Sequence, residues 1–83
     1  MNKVQIYTSN YCPYCIRAKQ LLDSKGVEYD EVNLDKNPEK KLETMQMFNW
    51  RTVPIILIGD ELIGGYDQLV SLERSKKLDE LLN

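Results

Sequence analysis

The spacing of apolar residues changes period repeatedly along this chain, and that alternation limits the fold more than any other feature. The segment VQIYT at 4–8 is β-branched and aromatic, as a strand requires. Next, Cys15, Ala18, Leu21 and Leu22 recur at helical spacing, with the polar Arg17, Lys19, Gln20 and Asp23 mostly between them. Pro13 suits the first position of this helix, where a missing N–H has no partner to lose. Gly26 suits its C-terminal cap. The helix is therefore expected to begin inside the run Cys12-Pro13-Tyr14-Cys15, with Cys12 at or beside the N-cap.

VEYDEVNLD at 27–35 places Val27, Tyr29, Val32 and Leu34 in imperfect alternation and predicts a second strand. NPEKKLETMQMFN at 37–49 predicts a second helix, with Asn37 as cap and Pro38 in the first turn. Leu42, Met45 and Phe48 form its expected inner face, and Asn49 can take the left-handed end conformation. PIILIG and ELIGG flank Gly59-Asp60, a tight-turn signal for a hairpin. The tail 67–82 carries Leu69, Leu72, Leu78, Leu81 and Leu82 among charges and predicts helix in two pieces broken near Ser75. The order is β-α-β-α-β-β-α. A strand–helix–strand crossover favours parallel pairing and a hairpin adds antiparallel strands. The expected fold is α/β, a four-stranded mixed sheet flanked by helices. Eighty-three residues leave no room for a second core, so one domain over 1–83 is expected.

Charge excludes some functions. The net charge is −2, from 11 basic and 13 acidic residues mixed along the chain, which offers no footprint for nucleic acid or an anionic membrane. No stretch approaches the ~20 apolar residues of a membrane span, and the start lacks the apolar run of a secretory signal. A cytoplasmic location is the expectation. Reducing surroundings disfavour a purely structural disulfide, and a bridge across two residues closes too small a loop to restrain the unfolded chain.

Cys12 and Cys15 are the only cysteines, and the chain has no histidine. A self-contained zinc or iron–sulfur site usually needs four protein ligands, more than this chain offers. A redox pair fits better. At a helix N-terminus the first N–H groups lack partners and point toward Cys12, and the dipole adds roughly half a positive charge there. Both favour the thiolate, the form that attacks disulfides. Cys15 lies one turn further in and cannot share that field equally. Cys12 is thus the expected attacking sulfur and Cys15 the resolving one. Two further segments carry a plain and a functional reading each. Thr52-Val53-Pro54 opens a strand, where proline is permitted; a cis Val53–Pro54 bond would also leave a backbone edge free, although only ~5–6% of X–Pro bonds are cis. In Gly64-Gly65-Tyr66-Asp67, Asp67 read alone is an ordinary N-cap. The glycines could equally let backbone N–H groups approach a carboxylate.

Taken together, CPYC at 12–15, TVP at 52–54 and IGGYDQL at 63–69 resemble, in order and spacing, the dithiol glutaredoxins of the short bacterial kind. The resemblance runs from Val4 to Leu82. It implies a thioredoxin-like fold and reduction of disulfides with glutathione as co-substrate. It also implies a cis Val53–Pro54 bond, against the base rate. In such a protein Thr52, Val53 and Pro54 flank the ligand, and the Val53 backbone pairs with the cysteinyl part of glutathione. Gly65 and the amides of Tyr66 and Asp67, with the Asp67 carboxylate, hold the γ-glutamyl end. Tyr14 and Lys41 face the glycyl carboxylate. The implied partners are glutathione and glutathionylated or disulfide-bonded proteins, with ribonucleotide reductase a candidate target, and the protein acts as a monomer.

Three positions depart from the pattern. Ser9 stands where relatives often carry lysine, which should weaken glycyl-carboxylate pairing and slightly relax thiolate stabilisation. Tyr66 stands where many carry cysteine. Trp50 fills a place more often small, and loop packing is its expected role ahead of substrate contact. Two alternatives stay open. One is a redoxin fed by thioredoxin reductase. The other is a module holding a [2Fe–2S] cluster between two chains through Cys12 and two glutathiones; Pro13 argues against it, since cluster carriers mostly have Gly-Phe-Ser after the first cysteine.

Overall fold

The first strand, β1 (Val4–Thr8), takes a neighbour on each edge, and the sheet grows outward from it in the computed structural model, which describes residues 2–83. β2 (Tyr29–Asn33) pairs with it in parallel, Val4 opposite Tyr29 and Thr8 opposite Asn33. β3 (Ile55–Ile58) pairs antiparallel on the other edge, and β4 (Glu61–Gly64) closes the hairpin, giving the order β2-β1-β3-β4. This is the expected four-stranded mixed sheet. The parallel pair is joined by α1 (Pro13–Ser24), as a crossover requires. The hairpin turns through Gly59 and Asp60, with Gly59 at φ +62. All four residues of β3 are buried, because helices cover both faces of this central strand.

Val4, Ile6, Ile56 and Ile58 meet Ala18 and Leu22 of α1, Leu69 of α3 (Tyr66–Arg74), and Leu78 and Leu82 of α4 (Leu78–Leu82) in the main core. On the opposite face Tyr7 meets Phe48 of α2 (Pro38–Phe48), ring centroids 6.0 Å apart. Each long helix ends by a left-handed residue. At the end of α1 the Gly26 N–H donates to the Asp23 carbonyl at 3.0 Å and the Val27 N–H to that of Leu22 at 3.4 Å, with Gly26 at φ +69. Asn49 (φ +51) ends α2 in the same way, as expected. Lys76 (φ +63) does so for α3, which accounts for the break near Ser75.

Two expectations for α2 are corrected. Leu42 is 66% exposed, and the buried residue of the helix is Thr44, with Met45 and Phe48 half-buried. The face of α2 is set by the side of the sheet it covers, which a local apolar count does not reveal. Asn37 stands at the N-cap, but its side chain makes no cap bond; its Nδ2 donates to the Asn33 carbonyl at 2.9 Å, tying the helix to the end of β2. The second strand is also shorter than 27–35, and Leu34 is buried just beyond it.

One polar link crosses the main core face. The buried Thr8 hydroxyl donates to the Glu31 carboxylate at 2.7 Å, and Lys19 of α1 reaches the same carboxylate at 3.2 Å. The Thr8 hydrogen bond, ahead of the Lys19 charge, holds the Glu31 carboxyl below the usual carboxylate range. A depressed carboxyl stabilises the fold fully above its unfolded value of about 4.3 and loses that contribution as pH falls through the folded one. Thr8→Val is expected to cost about 1 kcal/mol at neutral pH, the carboxylate being partly solvated. Thermal melts should therefore converge for wild type and variant on acidification below about pH 4.

Candidate active site

Three pieces of chain meet at one end of the sheet: the start of α1, the loop before β3, and the junction of β4 with α3. Cys12 is the N-cap of α1, with extended backbone at φ −110 and ψ 101. Its Sγ takes the place of a capping oxygen and accepts the Cys15 N–H at 3.2 Å. As a thiol it donates to the Val53 carbonyl at 3.7 Å. Cys12 is half-buried, whereas Cys15 is 2% exposed, and both are free thiols. Burial pushes the Cys15 thiol up to about 12, helped by its hydrogen bond to the Cys12 sulfur. A backbone hydrogen bond at Ser9 and the Lys19 charge act in the opposite direction. The two sulfurs are therefore chemically unequal: one at the surface of a helix end, the other sealed behind it.

The Val53–Pro54 bond is cis. Beside it lies an open groove of about 300 Å³, lined by Tyr14, Trp50, Thr52 and the run from Gly65 to Gln68. The wall at β4–α3 is shaped by an irregularity in the hairpin. Ile56 faces Gly64 while Leu57 faces Leu62, so Ile63 is an extra residue that re-aims the chain. Gly64 then runs at φ +117, against the Trp50 ring. A Cβ there would sit 3.0 Å from Trp50 Cη2, so only glycine fits. The rings of Tyr14 and Tyr66 lie 5.9 Å apart at the groove, and the Arg17 guanidinium stacks 5.6 Å from the Tyr14 centroid.

This arrangement has known counterparts. The family model for glutaredoxin matches residues 4–63. This chain belongs to the glutaredoxin family. A glutaredoxin from Pseudomonas aeruginosa is 51% identical over 83 residues, covering 100% of this chain and 99% of its own length. Glutaredoxin 3 of Escherichia coli is 46% identical over 82 residues, covering 99% of each. Among solved structures, a buckwheat glutaredoxin–glutathione complex superposes with a TM-score of 0.91 at 33% identity, over 98% of this chain and 76% of that one. A solution structure of a Brucella melitensis glutaredoxin gives 0.87 at 45% identity, over 99% of this chain and 89% of that one. The protein is thus a short bacterial-type glutaredoxin with a thioredoxin-like fold, and a thiol–disulfide oxidoreductase.

Of the residues singled out from the glutaredoxin sequence, Cys12, Tyr14, Thr52, Val53, Pro54, Gly65, Tyr66 and Asp67 gather around the sulfur and the groove. Lys41 is exposed on α2 and does not line that groove. Asp67 is not an N-cap: Gly65 holds that position, and Asp67 is an acidic residue in the first turn of α3. Gln68 was not anticipated. Its Oε1 accepts the Gly65 N–H at 3.0 Å, holding the groove wall in place. The available signal was a glutamine three residues after the cap, the reach-back half of a capping box. Trp50 packs against Gly64 as loop packing predicts, and it also lines the groove. Among the described residues no cluster of three or more His, Cys, Asp or Glu side chains could hold a metal ion, and no helix is long and apolar enough to cross a membrane.

Proposed function

We propose that this glutaredoxin reduces glutathione mixed disulfides and protein disulfides with glutathione as electron donor, Cys12 attacking and Cys15 resolving. The observation that carries the proposal is the Cys12 sulfur at a helix N-cap, receiving the Cys15 N–H and flanked by the Val53 carbonyl, beside an open groove. The likeness to a glutaredoxin solved with glutathione supports the choice of ligand. In the proposed complex the Val53 backbone pairs with the cysteinyl part of glutathione, alongside Thr52 and Pro54. Gly65, the amides of Tyr66 and Asp67 and the Asp67 carboxylate hold the γ-glutamyl end. Tyr14 and Lys41 face the glycyl carboxylate. The protein works as a monomer in the cytoplasm.

With a glutathionylated protein, the Cys12 thiolate attacks the glutathione sulfur. The S–S bond breaks, the protein thiolate leaves and takes a proton, and Cys12 carries the glutathionyl group. A second glutathione thiolate attacks that group, forms glutathione disulfide and returns the electron pair to Cys12. With a protein disulfide, Cys12 forms a mixed disulfide, and the Cys15 thiolate attacks the Cys12 sulfur and releases the second protein thiol. Two glutathiones then reduce the Cys12–Cys15 bond. Glutaredoxins lie near about −200 to −230 mV, close to the glutathione pool, so either direction is feasible.

Asp67→Asn tests the glutathione site. Loss of one charge-assisted contact at an exposed position corresponds to roughly 1 kcal/mol, so KM for glutathione should rise about fivefold with little change in kcat. An unchanged KM would remove Asp67 from the site. The high Cys15 value gives a separate expectation. Burial, the first cause of the raised Cys15 thiol, does not require a free Cys12 sulfur, so the thiol is expected to stay above an ordinary cysteine in the Cys12 mixed disulfide as well. Closure of the Cys12–Cys15 bond should therefore quicken by about tenfold per pH unit from about pH 6 to about pH 8, with no plateau. Rapid-mixing kinetics on a preformed Cys12 adduct reads this directly, and a plateau near neutrality contradicts it.

A further inference from the structure

Tyr11 stands immediately before the attacking cysteine, is 99% exposed, and has φ +56. Left-handed backbone is unfavourable for a bulky side chain, and glycine or asparagine adopts it at lower cost. Among the described residues the other two such non-glycine residues, Asn49 and Lys76, close helices by backbone bonds. Tyr11 closes none. The turn that holds it is firmly anchored: the Asn10 N–H donates to Asp35 at 2.7 Å, and Asn33 Nδ2 donates to the Asn10 side chain at 3.0 Å. The turn thus requires the conformation, and nothing in the fold requires tyrosine, since its ring is left in solvent. Tyr14 (53% exposed) and Ile16 (52% exposed), in the first turn of the helix that Cys12 caps, are further exposed large side chains close in sequence to the cysteine pair.

We infer that Tyr11 is a specificity residue that receives the polypeptide side of the disulfide, favouring a bulky apolar residue next to the substrate cysteine. The inference rests on the proposed glutathione-dependent reaction at Cys12. Tyr11 is bonded directly to Cys12, so the polypeptide on the disulfide that Cys12 attacks comes within reach of its ring, whether that polypeptide is the leaving group or the partner in the mixed disulfide. An exposed aromatic ring provides large contact area with little rotamer entropy to lose.

The test uses glutathione mixed disulfides of two short synthetic peptides, identical except for leucine or serine beside the cysteine, and that of 2-mercaptoethanol. Wild type should prefer the leucine peptide by about 5- to 30-fold in kcat/KM, as for a hot-spot aromatic contact. Tyr11→Asn should abolish that preference, leave the mercaptoethanol disulfide unchanged, and melt no lower than wild type. Tyr11→Trp should retain the preference. Equal rates on both peptides in wild type, an undiminished preference in Tyr11→Asn, or a lowered melting temperature in that variant would each overturn the inference. Absence of glutathione-dependent turnover of the mercaptoethanol disulfide by wild type would instead overturn the reaction beneath it, and the inference with it.

Discussion

Cys12→Ser should lose all catalysed disulfide reduction, with every substrate falling to the background rate of glutathione alone. Serine keeps the capping geometry, since its hydroxyl can accept the Cys15 N–H that Cys12 Sγ accepts at 3.2 Å. The fold should therefore survive, and the loss is chemical: a hydroxyl does not exchange with disulfides. Cys15→Ser should separate the two routes. Glutathione mixed disulfides should still turn over, because a second glutathione regenerates Cys12 without help. Reduction of protein disulfides by the dithiol route should fail, because nothing internal releases the second protein thiol. Activity retained by Cys12→Ser, or lost equally on both substrate types by Cys15→Ser, would show that the roles are misassigned.

Leu69→Ala should be the most damaging of the core truncations near the site. Leu69 is fully buried in the main cluster, where it joins α3 to β1, β3 and α1. Removing a buried leucine side chain costs about 2–5 kcal/mol. In a domain of this size each kcal/mol shifts the melting temperature by about 4–8 °C, so a fall of roughly 8–40 °C is expected. The effect should reach function as well. Leu69 lies one turn after Gly65, whose carbonyl accepts its N–H at 3.1 Å, so the groove wall depends on its packing. Leu42→Ala on α2 is the control: at an exposed position its effect should stay within about 0.5 kcal/mol. A large loss there would restore the inward face for Leu42 that the structure corrects.

Features carried by local chemistry were legible in the sequence. Pro13 marked the start of α1, Gly26 its end, Gly59-Asp60 the hairpin and Ser75 the break in the tail, because each is decided by the backbone preferences of a few residues. What escaped depends on distant neighbours. Leu42 lies outside and Thr44 is buried because α2 is oriented by the sheet and not by its own apolar content. Asp67 cedes the cap to Gly65, whose N–H is taken by the Gln68 side chain three residues on. The dual position of Trp50 follows from Gly64, fourteen residues on, being small enough to lie under its ring. The site is intermediate. The asymmetry of the two sulfurs was readable from helix position, whereas the cis bond was not, and entered only through family resemblance. Gln68 is legible as the reach-back glutamine of a capping box, three residues after Gly65.

The central claim is that electrons reach Cys12 from glutathione, and a coupled assay tests it most directly. The protein is supplied with a glutathione mixed disulfide, NADPH, and either glutathione with glutathione reductase or thioredoxin reductase alone. NADPH oxidation should depend on this protein in the first mixture, saturate with glutathione, persist in Cys15→Ser and vanish in Cys12→Ser. It should be absent from the second. Protein-dependent turnover driven by thioredoxin reductase without glutathione, with none in the glutathione mixture, would contradict the account.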